Sequence, residues 1–381
     1  MEETIIKEVK VPPSGSGGGK IIIAGGGTGG HIFPAIAIAN AIKKIAPKTE
    51  FLFIGAKGKM EMEKVPQAGY NIKGLEIAGF NRSSLIKNIG LPYKLIKSFL
   101  QVRTIFRLFK PDAVIGVGGY SSFPVLRFAQ SKGIKTFIHE SNSFAGKSNI
   151  FLGKRATRIF VATDGMEKFF PAGKIMKTGN PVRQTIATHT VSKEEAIKQY
   201  GFNAGKKVVL SIGGSLGAKS INEAIDKNIE FFETNDLQLI WQTGKPYLQK
   251  ALNRAKGMKN VFVTDFLKQM EYAYTAADMV ISRSGAMAMA ELCLVKKPVL
   301  FVPYPFAAED HQTANAQNLV NKNAAMMIPD DQALNKLVSE IVLLSKDLTR
   351  QESLKENISK LAMVNADRVI AEEILRSLEK K

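Results

Sequence analysis

Three glycine-rich turns, each set directly behind a short apolar run, gather the residues of this chain best suited to holding a phosphate. They lie in KIIIAGGGTGGH (20–31), DAVIGVGGYSS (112–122) and KKVVLSIGGSLGAKS (206–220). Glycine lets bare backbone come within hydrogen-bonding distance of an anion. The helix expected behind each turn aims unpaired N–H groups and a partial positive charge at the same point. Two such turns in the first half and one opening the second imply a protein that grips two phosphorylated ligands across two similar domains.

Other phosphate-binding chemistries fit less well. A dinucleotide site needs an acidic residue about 20 positions after its turn to hold the ribose. Here the next strand-like run, Phe51-Leu-Phe-Ile54, ends in Gly55-Ala56-Lys57, so no nicotinamide site is expected. The third turn nearly matches a P-loop, but Ala218 stands where the second glycine belongs, ahead of Lys219-Ser220, which argues against ATP hydrolysis. Tight turns with no ligand are the plain alternative, yet all three cluster more glycine than a turn needs. No Asp-x-Asp pair and no His/Asp cluster with metal spacing occurs, and no cofactor is expected.

The 381 residues are enough for two domains of ordinary size. Cys293 is alone and cannot close an internal disulfide, and no charged-apolar-small signal segment opens the chain, so the expected compartment is the cytosol. No apolar run approaches the ~20 residues that span a bilayer. Residues 1–19, ending in PPSGSGGG, read as a flexible extension before the first strand.

Charge is uneven. Residues 1–190 carry 28 Lys and Arg against 11 Asp and Glu, whereas residues 191–381 carry 25 against 23. The first half therefore meets something anionic and extended, nucleic acid or a membrane surface. Residues 77–111 separate the two. They hold seven cations, Arg82, Lys87 and Lys94 among them, no Asp or Glu, and many aliphatic and aromatic residues. That composition suits a lipid headgroup boundary better than a nucleic acid. Leu95, Phe99, Val102, Phe106 and Phe109, at helical spacing, are expected to face the core. The loop from Phe80 to Leu91, with Phe80, Arg82, Leu85, Ile86 and Lys87, is the expected membrane contact.

These features need a scaffold, and the pattern supplies one. Strand-like runs fall at Ile21–Ala24, Phe51–Ile54, Ala113–Val117, Thr136–His139, Ile159–Ala162 and Ile175–Lys177. In the second half they fall at Val208–Ile212, Leu237–Gln242, Val261–Thr264, Met279–Ser282, Val299–Val302 and Ala325–Ile328. Helical patterns fill the gaps, as at Pro34–Ile45, Ile221–Glu233 and Met287–Val295. The rhythm predicts an α/β protein of two doubly wound, Rossmann-like parallel-sheet domains facing across a cleft, with a hinge near Gly179-Asn-Pro-Val-Arg183.

The motifs GGGTGGHIFPAIAIA (25–39), GVGGYSSFP (116–124), HESN (139–142), GNPVR (179–183), GGSLGA (213–218), FLKQM (266–270), SRSGAMAMAE (282–291) and PYPFAAEDHQTANA (303–316) together carry a specific resemblance. In order and spacing, over roughly residues 20–375, the chain resembles the MurG-type members of glycosyltransferase family 28. These are UDP-N-acetylglucosamine:N-acetylmuramyl-(pentapeptide) pyrophosphoryl-undecaprenol N-acetylglucosaminyltransferases. The resemblance implies the two-domain GT-B fold and inverting transfer of N-acetylglucosamine from its UDP donor to the lipid-linked muramyl acceptor, lipid I, to give lipid II. It also implies a peripheral position on the cytoplasmic face of an anionic membrane, with no nucleic acid partner. Residues 20–182 become the acceptor domain, joined by a last helix near 361–378, and residues 183–360 the donor domain.

The resemblance likewise implies roles for single residues. Gly26, Gly27, Gly118, Gly119, Tyr120 and Ser121 hold the acceptor diphosphate, and Thr28, Gly29, Gly30 and Asn142 border the reacting sugar. Arg183, Ser215 and the helix start at Ala286, Met287, Ala288, Met289 and Ala290 face the donor diphosphate. Glu291 bonds the ribose, backbone at Leu267 meets uracil, and Gln312 contacts the sugar hydroxyls. Ala288 departs from the pattern, since a phosphate-contacting hydroxyl is usual there. The acceptor hydroxyl is not acidic, so a base in the cleft is worth about 10²–10⁴-fold. His31 and Glu140 are the candidates, with His31 preferred. A capping role is the alternative for His31, and a salt bridge to a nearby cation the alternative for Glu140. His311 is a further sugar contact, and His189 is expected in solvent. Transfer to another lipid such as diacylglycerol, epimerisation of a UDP-sugar, or binding without catalysis are the competing functions.

Overall fold

The structure is a computed structural model that describes residues 19–79, 90–182, 186 and 190–379. Its first half forms a seven-stranded sheet of β1 (Lys20–Ala24), β2 (Glu50–Ala56), β3 (Ile72–Leu75), β4 (Ala113–Gly116), β5 (Lys135–Glu140), β6 (Arg158–Val161) and β7 (Ile175–Lys177). Every recorded pairing is parallel, in the order β3-β2-β1-β4-β5-β6-β7. The second half forms a six-stranded sheet of β8 (Lys207–Ile212), β9 (Leu237–Gln242), β10 (Val261–Thr264), β11 (Met279–Ser282), β12 (Val299–Phe301) and β13 (Met326–Met327). These too are parallel, in the order β10-β9-β8-β11-β12-β13.

Sheets covered on both faces require strands that are apolar throughout. In β1 the residues alternate between two cores: Ile21 and Ile23 pack with the helix Gly29–Ile45, Ile22 and Ala24 with the layer of Val102, Phe106, Val125 and Leu126. Strand order reverses between β1 and β4 in the first sheet and between β8 and β11 in the second. The carboxyl ends of strands at such a reversal open a crevice, because the flanking helices leave in opposite directions. The first and second glycine turns follow β1 and β4, and the third glycine turn and the SRSG segment follow β8 and β11. The topology thus brings the glycine motifs together in pairs. The last helix, Ala366–Glu379, lays Ile370, Ala371 and Ile374 into the core beside Ile38 and Ile42, and its Glu373 accepts from Arg158 Nε at 2.9 Å.

Four expectations change. β3 was unforeseen, since its IKGL sequence is a half-exposed edge strand with little apolar signal. The first helix begins at Gly29, not Pro34, so Pro34 lies in its second turn. The single helix expected over Ile221–Glu233 is two, Lys219–Lys227 and Glu230–Thr234, broken where Asn228 Nδ2 donates back to the Ala224 carbonyl at 2.9 Å. In the helix Leu91–Phe109 only Val102 and Phe106 of the five expected core positions are buried; Phe99 and Phe109 are half-buried and Leu95 is exposed. This helix lies at the rim and packs one narrow stripe, Ser98, Val102 and Phe106, inward. Tyr93, Ile96, Leu100 and Leu108 on its remaining surface are 59–75% exposed.

Candidate active site

The first two glycine turns interlock. Gly26 N donates to the Gly118 carbonyl at 3.2 Å, and a Cβ on Gly119 would collide with the Gly26 carbonyl. Gly27 N donates to Glu61 Oε2 at 2.8 Å. The amides of Gly26 and Gly27, expected to face a phosphate, are therefore already occupied within the protein. The open donors lie two residues on, at Thr28, Gly29 and Gly30, where the helix Gly29–Ile45 starts with no side-chain cap and no acidic residue in its first turn. In the second turn Gly118 and Gly119 adopt φ of +96° and +86°, conformations that L side chains rarely take, and the helix Ser122–Ser131 begins just beyond. Ser122 Oγ donates to the Ala24 and Gly118 carbonyls at 2.8 and 2.9 Å, which ties this turn to the end of β1. Tyr120 is exposed, Ser121 is buried, and the Tyr120 ring lies directly on Gly79.

His31 stands where the two turns meet. Its Nδ1 lies 3.1 Å from the Gly26 carbonyl and 3.3 Å from Thr28 Oγ1. A carbonyl partner demands N–H at Nδ1, which leaves the lone pair on Nε2. Gly118 has no side chain to cover that atom: a Cβ there would stand 2.7 Å from Nε2. Burial lowers the proton affinity of His31 below its ordinary value, against opposing pulls from the Gly26 carbonyl, Glu140 and Glu61, while nearby His311 lowers it further. The side chain is thus neutral at pH 7 and able to accept a proton.

Glu140 has a different environment. Buried at the end of β5, it accepts from Asn142 N at 3.1 Å and Asn142 Nδ2 at 3.3 Å through Oε1. Through Oε2 it accepts from Gly146 N at 3.3 Å and Asn149 Nδ2 at 2.8 Å. All four acceptor positions are filled by neutral donors, so neither the anticipated salt bridge nor an open lone pair is present. Glu140 shapes the HESN turn. His139 beside it is fully buried, and burial pushes its imidazole down to about 4.

On the opposite wall, Gly217 and Gly244 bring the third turn against the end of β9, backbone on backbone, and Gln242 Nε2 donates to the Gly214 carbonyl at 2.9 Å. Ser215 is exposed at its tip. Gln242 Oε1 accepts from Leu267 N at 3.2 Å, so that amide is engaged as well. The helix Ala286–Val295 starts at Gly285 without a side-chain cap; Ala286, Met287, Ala288 and Ala290 are half-buried and Met289 is buried. Glu291, buried in its second turn, accepts from Tyr274 Oη at 3.0 Å. Gln312 Oε1 accepts from Tyr304 N at 3.0 Å and its carbonyl from Ser284 Oγ at 2.8 Å. Among the described residues no three His, Cys, Asp or Glu side chains gather as a metal site would require, and no helix is long and apolar enough to cross a membrane.

Sequence reading missed three residues. Glu61, at the start of the helix Glu61–Gln67, braces the first turn. Arg283 joins Asp330, Ser220 and the carbonyls of Val302 and Pro303, tying the SRSG segment to the helix behind the third turn. Asn315, 1% exposed, crosses between the halves: its Oδ1 accepts from Ser143 N at 2.8 Å, and its Nδ2 donates to Asn142 Oδ1 at 3.1 Å and the Ser284 carbonyl at 3.2 Å. Arg283 and Asn315 lie within quoted motifs, SRSGAMAMAE and PYPFAAEDHQTANA, whereas Glu61 lies in none of them. Arg183, His189, Phe80, Arg82, Leu85, Ile86 and Lys87 lie outside the described residues.

Residues 21–161 match the glycosyltransferase family 28 N-terminal domain and residues 208–374 the glycosyltransferase family 28 C-terminal domain. The chain is 50% identical over 364 residues to the UDP-N-acetylglucosamine–N-acetylmuramyl-(pentapeptide) pyrophosphoryl-undecaprenol N-acetylglucosamine transferase of Phocaeicola vulgatus, covering 95% of this chain and 97% of that one. It is 50% identical over 361 residues to the protein of the same name from Bacteroides fragilis, covering 94% and 95%. Among solved structures, MurG of Acinetobacter baumannii superposes with a TM-score of 0.76 at 25% identity, covering 94% of this chain and 99% of that one. A UDP-N-acetylglucosamine 2-epimerase of Neisseria meningitidis shares the fold alone, with a TM-score of 0.66 at 15% identity over 94% and 100%.

Proposed function

We infer that this chain, which belongs to glycosyltransferase family 28 and within it to the N-acetylglucosamine transferases named above, moves N-acetylglucosamine from UDP-N-acetylglucosamine to lipid I and so makes lipid II. The observation that carries this reading is the identity of half the residues over nearly the whole of both chains. The geometry supplies its chemistry. His31 Nε2 takes the proton from the C4 hydroxyl of the muramyl group, and the C4 oxygen forms a bond to the anomeric carbon. The bond from that carbon to the β-phosphate breaks, and its electron pair leaves with UDP. One displacement inverts the anomeric centre and gives a β-1,4 linkage.

Charge growing on the departing diphosphate is met by the third turn with Ser215, the uncapped helix start at Ala286 and Arg183, as preorganised dipoles stabilise a transition state. Glu291 holds the ribose, the Leu267 carbonyl the uracil, and Gln312 with Asn142 the sugar. The acceptor diphosphate sits on Thr28–Gly30 and Gly118–Ser121, while Gly26 and Gly27 allow close approach instead of donating. Residues 20–182 with the last helix form the acceptor half, and 183–360 the donor half. The exposed apolar face of Tyr93, Ile96 and Leu100, with Lys94, Arg103 and Arg107, rests on the anionic cytoplasmic face of the membrane next to the 80–89 segment.

Purified protein given labelled UDP-N-acetylglucosamine and lipid I in micelles should release UDP in step with a β-linked disaccharide lipid. Release of UDP without acceptor, a 2-epimer product, or retention at the anomeric carbon would overturn the assignment.

A further inference from the structure

Glu61 belongs to none of the functions assigned so far, yet it is the most deeply placed carboxyl near the first glycine turn. It is 1% exposed. Its Oε1 accepts from Ala56 N at 2.9 Å, at the end of β2, and its Oε2 from Gly27 N at 2.8 Å, in the turn after β1. A Cβ on Gly26 or Gly55 would collide with it, so two glycines exist in part to admit this side chain. Gly26 and Gly27 have φ of +149° and +86°, and besides Glu61 the turn is held by Gly25 N to the Ile54 carbonyl at 3.1 Å, Gly26 N to the Gly118 carbonyl at 3.2 Å and the His31 ring on the Gly26 carbonyl at 3.1 Å.

A buried anion under a turn that receives a diphosphate works against the ligand's charge. An amide side chain would avoid that conflict, but it would face one of the two N–H donors with an N–H of its own. We propose that Glu61 is a positioning residue for transfer: its carboxylate clamps the first glycine turn so that the Thr28–Gly30 amides stay open and His31 stays on the Gly26 carbonyl. The proposal rests on reading that turn as the acceptor cradle and His31 as the base. It also gives the anion a second effect. Glu61 and Glu140 strengthen proton binding at His31, while His311 and burial oppose it; His139, itself kept neutral by burial, is the remaining titratable neighbour.

Two variants separate clamp from charge. Glu61→Gln keeps the size and removes the charge and one acceptor; Glu61→Asp keeps the charge and shortens the reach. Both should raise the acceptor KM about tenfold, as for a broken bond to a buried donor, and leave the donor KM unchanged. Only Glu61→Gln should move the acid limb of the kcat/KM profile to lower pH, since removing a negative charge weakens His31's hold on its proton. Amide hydrogen exchange in residues 24–31, measured without substrate, should quicken in both. A lower melting temperature with acceptor KM, acid limb and exchange at 24–31 all unchanged would make Glu61 an ordinary fold brace and overturn the proposal. Should the wild-type protein fail to transfer sugar, the functional reading falls, and the exchange measurement alone still decides the clamp.

Discussion

Glu140→Gln against His31→Ala separates the two candidate bases, because the structure assigns them opposite costs. The Glu140 carboxylate receives four neutral donors. A glutamine there can accept on one side only, and its own N–H₂ must face the donors on the other. Two bonds to a charged group are lost, at the weak end of about 1.5–3 kcal/mol each because three of the four are 3.1–3.3 Å long, or about 3 kcal/mol together. For a domain of this size that lowers its melting midpoint by roughly 6–12 °C. His31→Ala removes one half-buried ring and one bond to a carbonyl, so its melting should shift little. Its kcat should nonetheless fall by about 10²–10⁴, the worth of a general base. Differential scanning calorimetry and steady-state kinetics on folded protein read both. A Glu140→Gln variant that melts like wild type while losing kcat, beside a His31→Ala variant within about threefold of wild type, would refute the assignment and make Glu140 the base.

Glu291→Ala should raise the donor KM far more than it lowers kcat, because hydrogen bonds to ribose are alike in ground and transition states; a loss carried wholly by kcat would contradict that role. Acid should destabilise the fold through His139. Its folded-state pKa of about 4 lies below the unfolded value near 6.5, so the buried neutral ring favours the fold fully above pH 6.5, and this contribution, at most about 3 kcal/mol, decays as pH falls toward 4. In denaturant titrations between pH 7 and 4, the stability of wild type relative to His139→Phe should fall as pH drops, and parallel curves would remove His139 as the cause. Ile96→Ser with Leu100→Ser should cut the salt-resistant part of binding to anionic vesicles while leaving the salt-sensitive part, with no change in sedimentation as the contrary result.

Most of the fold was legible because buried parallel strands leave apolar runs between glycine turns, and every strand with such a run was found. β3 failed this test for a physical reason: an edge strand needs only one apolar side, and IKGL holds too little of it to register. The helix Leu91–Phe109 failed in the other direction. Its apolar residues repeat at helical spacing, but they cover more of the helix than the inward stripe of Ser98, Val102 and Phe106 can use, and a sequence does not say which side of a wide stripe faces protein.

The site divides along a similar line. Which residue types gather was readable, because β1 with β4 and β8 with β11 are the strands where sheet order reverses, and motifs that follow such strands must meet. Which atoms remain open to a ligand was not. Five amides carry the glycine-rich signature from Gly26 to Gly30, yet Gly26 is paired with Gly118 and Gly27 with Glu61, and that pairing depends on residues 92 and 34 positions away. Glycine content marks where backbone can approach an anion; long-range hydrogen bonds decide which N–H groups are left to do so. The same holds for Glu140, whose type and position suit a base while its two oxygens already accept from four donors that the sequence does not announce. Asn315 completes the argument from the other side, since a plain polar residue in a helix holds Asn142, Ser143 and Ser284 at once and so ties the HESN turn of the first half to the SRSG segment of the second.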